Sequence, residues 1–333
     1  MRSTRISLTA TMAAALALSC VLVPAAFAEE ASVVAEQTID AMNKLWGLHP
    51  GIRSNHAKGV VVEGTFTPAK EAAALSKAAL FAGAAVPVTV RFSNSTGLPA
   101  IPDGSAGANP HGMAVKFRLP DGSEVDIVEN SLKFFPVANG AEFLDLLQAV
   151  AASGPDAAKP TRVEAFFASH PAAPLAFASA ETPVSFARET YNGIDAFVFV
   201  DAAGKRQPFR FQVVPAEGAE HLSAADAAKQ APDFLMDELP ARLAKGPVRF
   251  RLMAQLANPG DQTKDPTQPW PADRRMVELG AITLTKAAAD SAAAEKPLLF
   301  LPSNLTPGIE VSDDPLIDAR DQAYAVSFGR RSQ

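Results

Sequence analysis

The sequence predicts an α+β fold: an antiparallel β-barrel core with helical insertions and a helix near the carboxy-terminal end. Three observations predict it. Eight short apolar or alternating runs, separated by Pro- or Gly-bearing turns, read as strands, and eight such runs suggest a closed antiparallel barrel. Segments with apolar residues at helical spacing interrupt those runs. At 48% hydrophobic over 333 residues, the chain has the material for one large core, or at most two.

Residues 1–28 read as a secretory signal. Arg2 and Arg5 precede an Ala/Leu/Val-rich run that ends in Ala26, Phe27 and Ala28, ahead of Glu29 and Glu30, so cleavage is expected after Ala28. Polar residues and Pro24 break the run, which disfavours a membrane anchor. The expectation is a periplasmic or secreted protein with no stable membrane insertion, whose residues 29–333 form one domain. Strands are expected at 60–66, 86–92, 113–119 and 125–128, with turns at 99–110 and 119–122 and a helix at 71–81. Helices follow at 141–152 and 162–169, then strands at 194–200 and 209–214. A helix at 232–243 carries the stripe Phe234, Leu235, Leu239 and Leu243, with Pro240 expected to kink or split it. Strands at 248–256 and 276–284 flank a proline-rich loop at 258–271, an alanine-rich stretch follows at 287–294, and a helix spans 315–328.

Composition excludes several classes of function. The single cysteine, Cys20, lies inside the signal, so the mature chain has neither a disulfide framework nor cysteine redox chemistry. Without paired histidines, no zinc-site spacing appears. Removing residues 1–28 takes the net charge from −6 to −8, and no basic stripe invites nucleic acid or an anionic membrane.

A few residues stand out as candidates for chemistry. Of five histidines, only His56 sits in an arginine-flanked, glycine-terminated run that enters a strand. Arg91 and Ser93 are two apart on a strand and share one face. Arg320 and Tyr324 are four apart on a helix, so the guanidinium lies one turn from the phenol and stabilises negative charge on its oxygen.

Four segments, in order, carry a family resemblance. They are RSNHAKG (53–59), leading into GTF (64–66) and VTVRFS (88–93); PHGMAVKF (110–117); DIVENSLKFF (126–135); and FLPSNLTPGIE (300–310), running into VSDDPLIDARDQAY (311–324). Together they resemble the haem catalases over most of the mature chain. The resemblance implies a catalase-like barrel, one haem b, and Tyr324 on a helix as the iron's axial ligand with Arg320 beside it. It implies His56 as the distal acid–base group and Asn130 as a hydrogen-bond donor to bound peroxide. Ser93 would stand beside His56. Arg53, Arg91 and Arg331 would hold the haem propionates, with Arg330 an equal claimant to the last place. Phe143 would pack on the haem plane or in the core.

The activity this implies is a haem peroxidase that reduces hydrogen peroxide or organic hydroperoxides with a small organic reductant, with weak catalase activity. A periplasmic haem-binding or storage protein and a lipid hydroperoxide-rearranging enzyme are the alternatives, and homo-oligomerisation is left open. Only nine residues follow Tyr324, and only 27, counted from Glu29, precede His56. From these short flanks a wide approach to the pocket is expected, with peroxidase outpacing catalase activity.

Overall fold

A computed structural model describes the backbone of residues 25–333 and the side chains from residue 32 onward. The expected signal segment lies outside the described residues up to residue 24. In chain order come α1 (Ala25–Trp46), β1 (Gly59–Pro68), α2 (Ala72–Leu75), β2 (Val86–Asn94), β3 (His111–Arg118), β4 (Glu124–Asn130) and α3 (Gly140–Ala151). Next are α4 (Arg162–Ser169), α5 (Ala172–Ala178), β5 (Thr182–Pro183), β6 (Tyr191–Asn192), β7 (Phe197–Val200), β8 (Arg206–Pro215) and β9 (His221–Leu222). The chain finishes with α6 (Ala224–Ala227), α7 (Phe234–Leu243), β10 (Val248–Leu256), β11 (Met276–Ala287), α8 (Ser291–Glu295), β12 (Ile309–Val311) and α9 (Pro315–Arg331).

Eight strands close the expected antiparallel barrel, in the order β10-β11-β1-β2-β3-β4-β6-β8 and back to β10. β7 and β12 extend the sheet from β8. Strand alternation sends Val88, Val90 and Phe92 of β2 into the core, where they meet Phe66, Phe117, Tyr191 and Phe250. Phe66 and Phe117 pack edge to face at 5.2 Å. Each such side chain contributes about 1.5–3 kcal/mol on full burial.

The opposite face of β2–β4 carries the residues of interest in register. One row across the three strands reads Ser93, Gly112, Asn130 and the next reads Arg91, Ala114, Val128. α1, α3 and α9 pack on one another as a helical layer beside this face.

The structure corrects four details of the predicted elements. The helix expected at 71–81 is broken after Leu75, because Ser76 turns extended and donates from Oγ to Gly308 O at 2.7 Å, while Lys77 N donates to Val200 O. α7 runs through Pro240 without splitting; Leu235, Leu239 and Leu243, all buried along one side, hold it to the barrel. The strand expected from residue 194 begins only at Phe197. Helix α1 was not expected, and Ala35, Ile39 and Met42 form its buried stripe. None of the described helices is long and apolar enough to cross a membrane.

Candidate active site

Between the β2–β4 face and the helical layer lies a cavity of about 540 Å³. α1 closes one side with Val34, Ile39 and Met42, so the amino-terminal flank covers the cavity rather than leaving it bare. Of the residues singled out in the sequence for cofactor or catalytic work, Arg53, His56, Arg91, Ser93, Asn130, Phe143, Arg320, Tyr324 and Arg331 line it, and Arg330 does not.

His56 enters from the loop before β1 in a left-handed conformation, φ 55°, the only non-glycine residue among those described with positive φ. Asn55 Oδ1 accepts from its backbone N–H at 2.9 Å, and its carbonyl accepts from Arg91 Nη2 at 2.8 Å. The ring rests over Gly112, with Nδ1 2.9 Å from Ser93 Oγ. Burial, then Arg91, Arg320, Arg53 and His111, push its pKa down to about 3, so the imidazole is neutral at physiological pH. The other histidines find ordinary fates. His49 reaches Trp46 O, His170 stacks on Phe166, His221 meets Glu189, and His111 is buried beside Phe186.

Asn130 ends the Ser93–Gly112 row. Its Oδ1 accepts from Leu132 N at 2.8 Å, so the turn-capping role is present, and it fixes the plane of an amide that also lines the cavity.

α9 supplies the opposite group. Asp314 caps it by accepting from Leu316 N at 2.9 Å, and Pro315 opens it, a well-matched helix start. Arg320 Nε then donates to Tyr324 Oη at 3.1 Å, as the four-residue spacing predicts. The guanidinium is held from behind by Asp195 and by Val128 O at 2.9 Å. Burial alone would depress Arg320, but Asp195, then Tyr324 and Glu129, outweigh it and raise its pKa. Tyr191, by contrast, sits in the barrel core donating to Phe186 O.

The third corner is cationic. Arg53 Nη2 and Arg331 Nη2 each donate to Leu298 O at 2.8 Å, and Arg91 lies beside them on β2. Arg331 Nε is buried with no partner among the described residues, a donor left for a ligand oxygen. Arg330 instead pairs with Asp40 on α1 at 2.6 Å and does not line the cavity, so Arg331 is the arginine of the site. An apolar cavity with a guanidinium-supported phenol on one wall and three clustered arginines fits a flat iron porphyrin bearing two carboxylates.

Sequence reasoning missed three contributors. Gly112 makes room for the imidazole, Asp195 anchors Arg320, and Glu295 pairs with Arg53 and Arg91. Asp195 was legible as a lone acid opening an apolar run. Glu295 was hidden in the alanine-rich stretch before it, and Gly112 gave no signal beyond its motif.

The catalase family profile matches residues 49–331. Among named relatives, the chain is 38% identical over 301 residues to a catalase-related peroxidase of Mycolicibacterium paratuberculosis, covering 89% of this chain and 94% of that one. It is 33% identical to a catalase-related peroxidase of Synechococcus elongatus, covering 90% of this chain and 89% of the other. Among solved structures, a bacterial catalase superposes with a TM-score of 0.75 at 22% identity, covering 99% of this chain and 68% of its own. Catalase A from Saccharomyces cerevisiae gives 0.73 at 20%, covering 84% and 61%.

Proposed function

The chain belongs to the catalase family, and from that premise we propose that it is an exported haem peroxidase that reduces hydrogen peroxide or organic hydroperoxides at the expense of a small organic donor. The observation that carries the reading is the meeting of a neutral His56, a guanidinium-backed Tyr324 and three arginines on one apolar cavity. Haem b is the cofactor this donor set suits, with Tyr324 as its iron ligand and Arg53, Arg91 and Arg331 on its propionates. When bound, it supplies the electrons that cleave the peroxide O–O bond.

What the chain supplies is proton handling and orientation. With Nδ1–H donating to Ser93 Oγ, His56 presents Nε2 as the acceptor, with Ser95 Oγ only a long 3.4 Å contact away, ready to take a proton from peroxide and return it to the departing oxygen. The Asn130 amide, its plane fixed through Oδ1, offers Nδ2–H to the peroxide. A haem-storage protein would need neither group.

Replacing His56 by Ala tests the reading. Haem should stay bound while the reaction with peroxide, followed by stopped flow, slows by about 10²-fold or more. A variant as fast as wild type contradicts it. Oxygen release against oxidation of an aromatic donor, at equal peroxide, separates peroxidase from catalase. Vigorous dismutation with negligible donor oxidation would restore a true catalase.

A further inference from the structure

Two of the three arginines of the cavity, Arg53 and Arg91, are held together by a carboxylate outside its wall. Glu295 closes α8, a single turn whose start is fixed by Asp290 Oδ1 accepting from Ala293 N at 2.9 Å and by Ser291 Oγ accepting from Val61 N at 3.0 Å. One oxygen of Glu295, Oε2, receives Arg53 Nη1 at 3.1 Å and pairs with Arg91 Nε. Glu295 does not line the cavity, whereas Arg53 and Arg91 do. The carboxylate therefore braces both guanidinium groups from outside the cavity that they line.

Two consequences follow from charge and connectivity. Three guanidinium groups and one carboxylate leave two positive charges, the number that two propionates neutralise. Unbraced, Arg53 and Arg91 would repel each other in a site that is short of water. Arg91 also donates Nη2 to His56 O, so the group fixed by Glu295 is the one that holds the left-handed backbone of His56. A non-glycine residue in that region is strained and persists only where its neighbours constrain it.

We propose that Glu295 is a positioning residue for both halves of the site: it holds Arg53 and Arg91 as one carboxylate-binding cradle and, through Arg91, sets the backbone of His56. The inference rests on the haem reading given above, and the test separates the two. Wild type, Glu295→Gln and Glu295→Asp are each titrated, as purified haem-free protein, with haem and with haem dimethyl ester, whose propionates carry no charge. Melting temperatures of the same samples report the fold.

The Gln variant should lose about tenfold or more in affinity for haem, the scale of one charge-assisted contact, with little change toward the ester. The Asp variant, with its charge kept, should recover part of the loss. The reaction of the haem-loaded Gln variant with peroxide should also slow, although His56 is intact. Equal losses for both porphyrins, in step with a lower melting temperature, would reduce Glu295 to a fold support and overturn the proposal. So would a Gln variant that binds haem as well as wild type or better. A wild type that takes the ester as readily as the acid overturns the cradle reading itself and this inference with it.

Discussion

At Gly112 an added Cβ would stand 2.8 Å from His56 Cε1 and 3.0 Å from Ser93 Oγ, so the imidazole occupies the space that a side chain would fill. Gly112→Ala should therefore leave the barrel intact and displace the base. We expect haem to remain bound while the peroxide reaction slows by about 10-fold to 10²-fold, toward the loss from removing the base altogether. Stopped-flow mixing measures it, and an alanine variant at the wild-type rate would show that the ring does not depend on this gap. On the facing wall, Tyr324→Phe keeps the ring and deletes the oxygen that receives Arg320 Nε. Haem content after purification should drop severalfold, or the ferric spectrum should change outright. An unchanged spectrum at full occupancy would remove Tyr324 from the role of ligand.

Helix α9 shows what an element adds to these residues. Arg320, Tyr324, Ser327 and Arg331 all line the cavity at spacings of three or four, so one face of one helix carries both the phenol and an arginine. Seven residues separate Tyr324 from Arg331, roughly 10 Å along the axis. That arrangement was legible in the sequence, since periodicity places 320 and 324 together before any contact is known. The barrel strands were legible for the same reason, their alternation being local. What was not legible depended on partners distant in sequence. The break at Ser76 answers to Gly308 and Val200, the shortened strand before Phe197 leaves Asp195 free to meet Arg320, and the choice of Arg331 over Arg330 needed Asp40 on α1. α1 leaves a local signal too, since Ala35, Ile39 and Met42 have helical spacing. Ile39 is 2% exposed and lines the cavity, so Ile39→Ala should cost about 2–4 kcal/mol by chemical denaturation. A cost below ~0.5 kcal/mol would mean that α1 is not packed on the cavity in solution.

Across the whole molecule, the buried ionisable groups set opposing responses to acid. His56 and His111 are both pushed down to about 3, His111 by burial and then by His221, whereas an unfolded histidine takes its proton near pH ~6.5. Between those values the unfolded chain binds protons that the folded chain refuses. Their contribution is complete above the unfolded value and is lost as pH falls toward 3. Buried carboxyl groups act in the other direction. Asp314, raised to about 7 by burial and then by Asp195, and Glu129, raised by burial against the opposing Arg320, keep protons in the fold that unfolded carboxylates release. They add stability as pH falls through the range where the histidines subtract it, so the acid profile of the whole chain is a difference of large terms. Substitution isolates one of them. His111 is fully buried, neither of its ring nitrogens has a partner among the described residues, and it lies outside the cavity, so His111→Leu removes one titration without removing a residue of the proposed site. Relative to that variant, wild type should lose up to about 1.4 kcal/mol per pH unit between roughly pH 6 and 4, because every group not electrically coupled to His111, as His56 and His221 are, cancels in the comparison. Urea denaturation of both proteins across that range measures the slope. A difference that stays flat with pH would mean that His111 binds its proton as readily in the fold as out of it, and that the apolar surroundings of β3 do not hold it neutral.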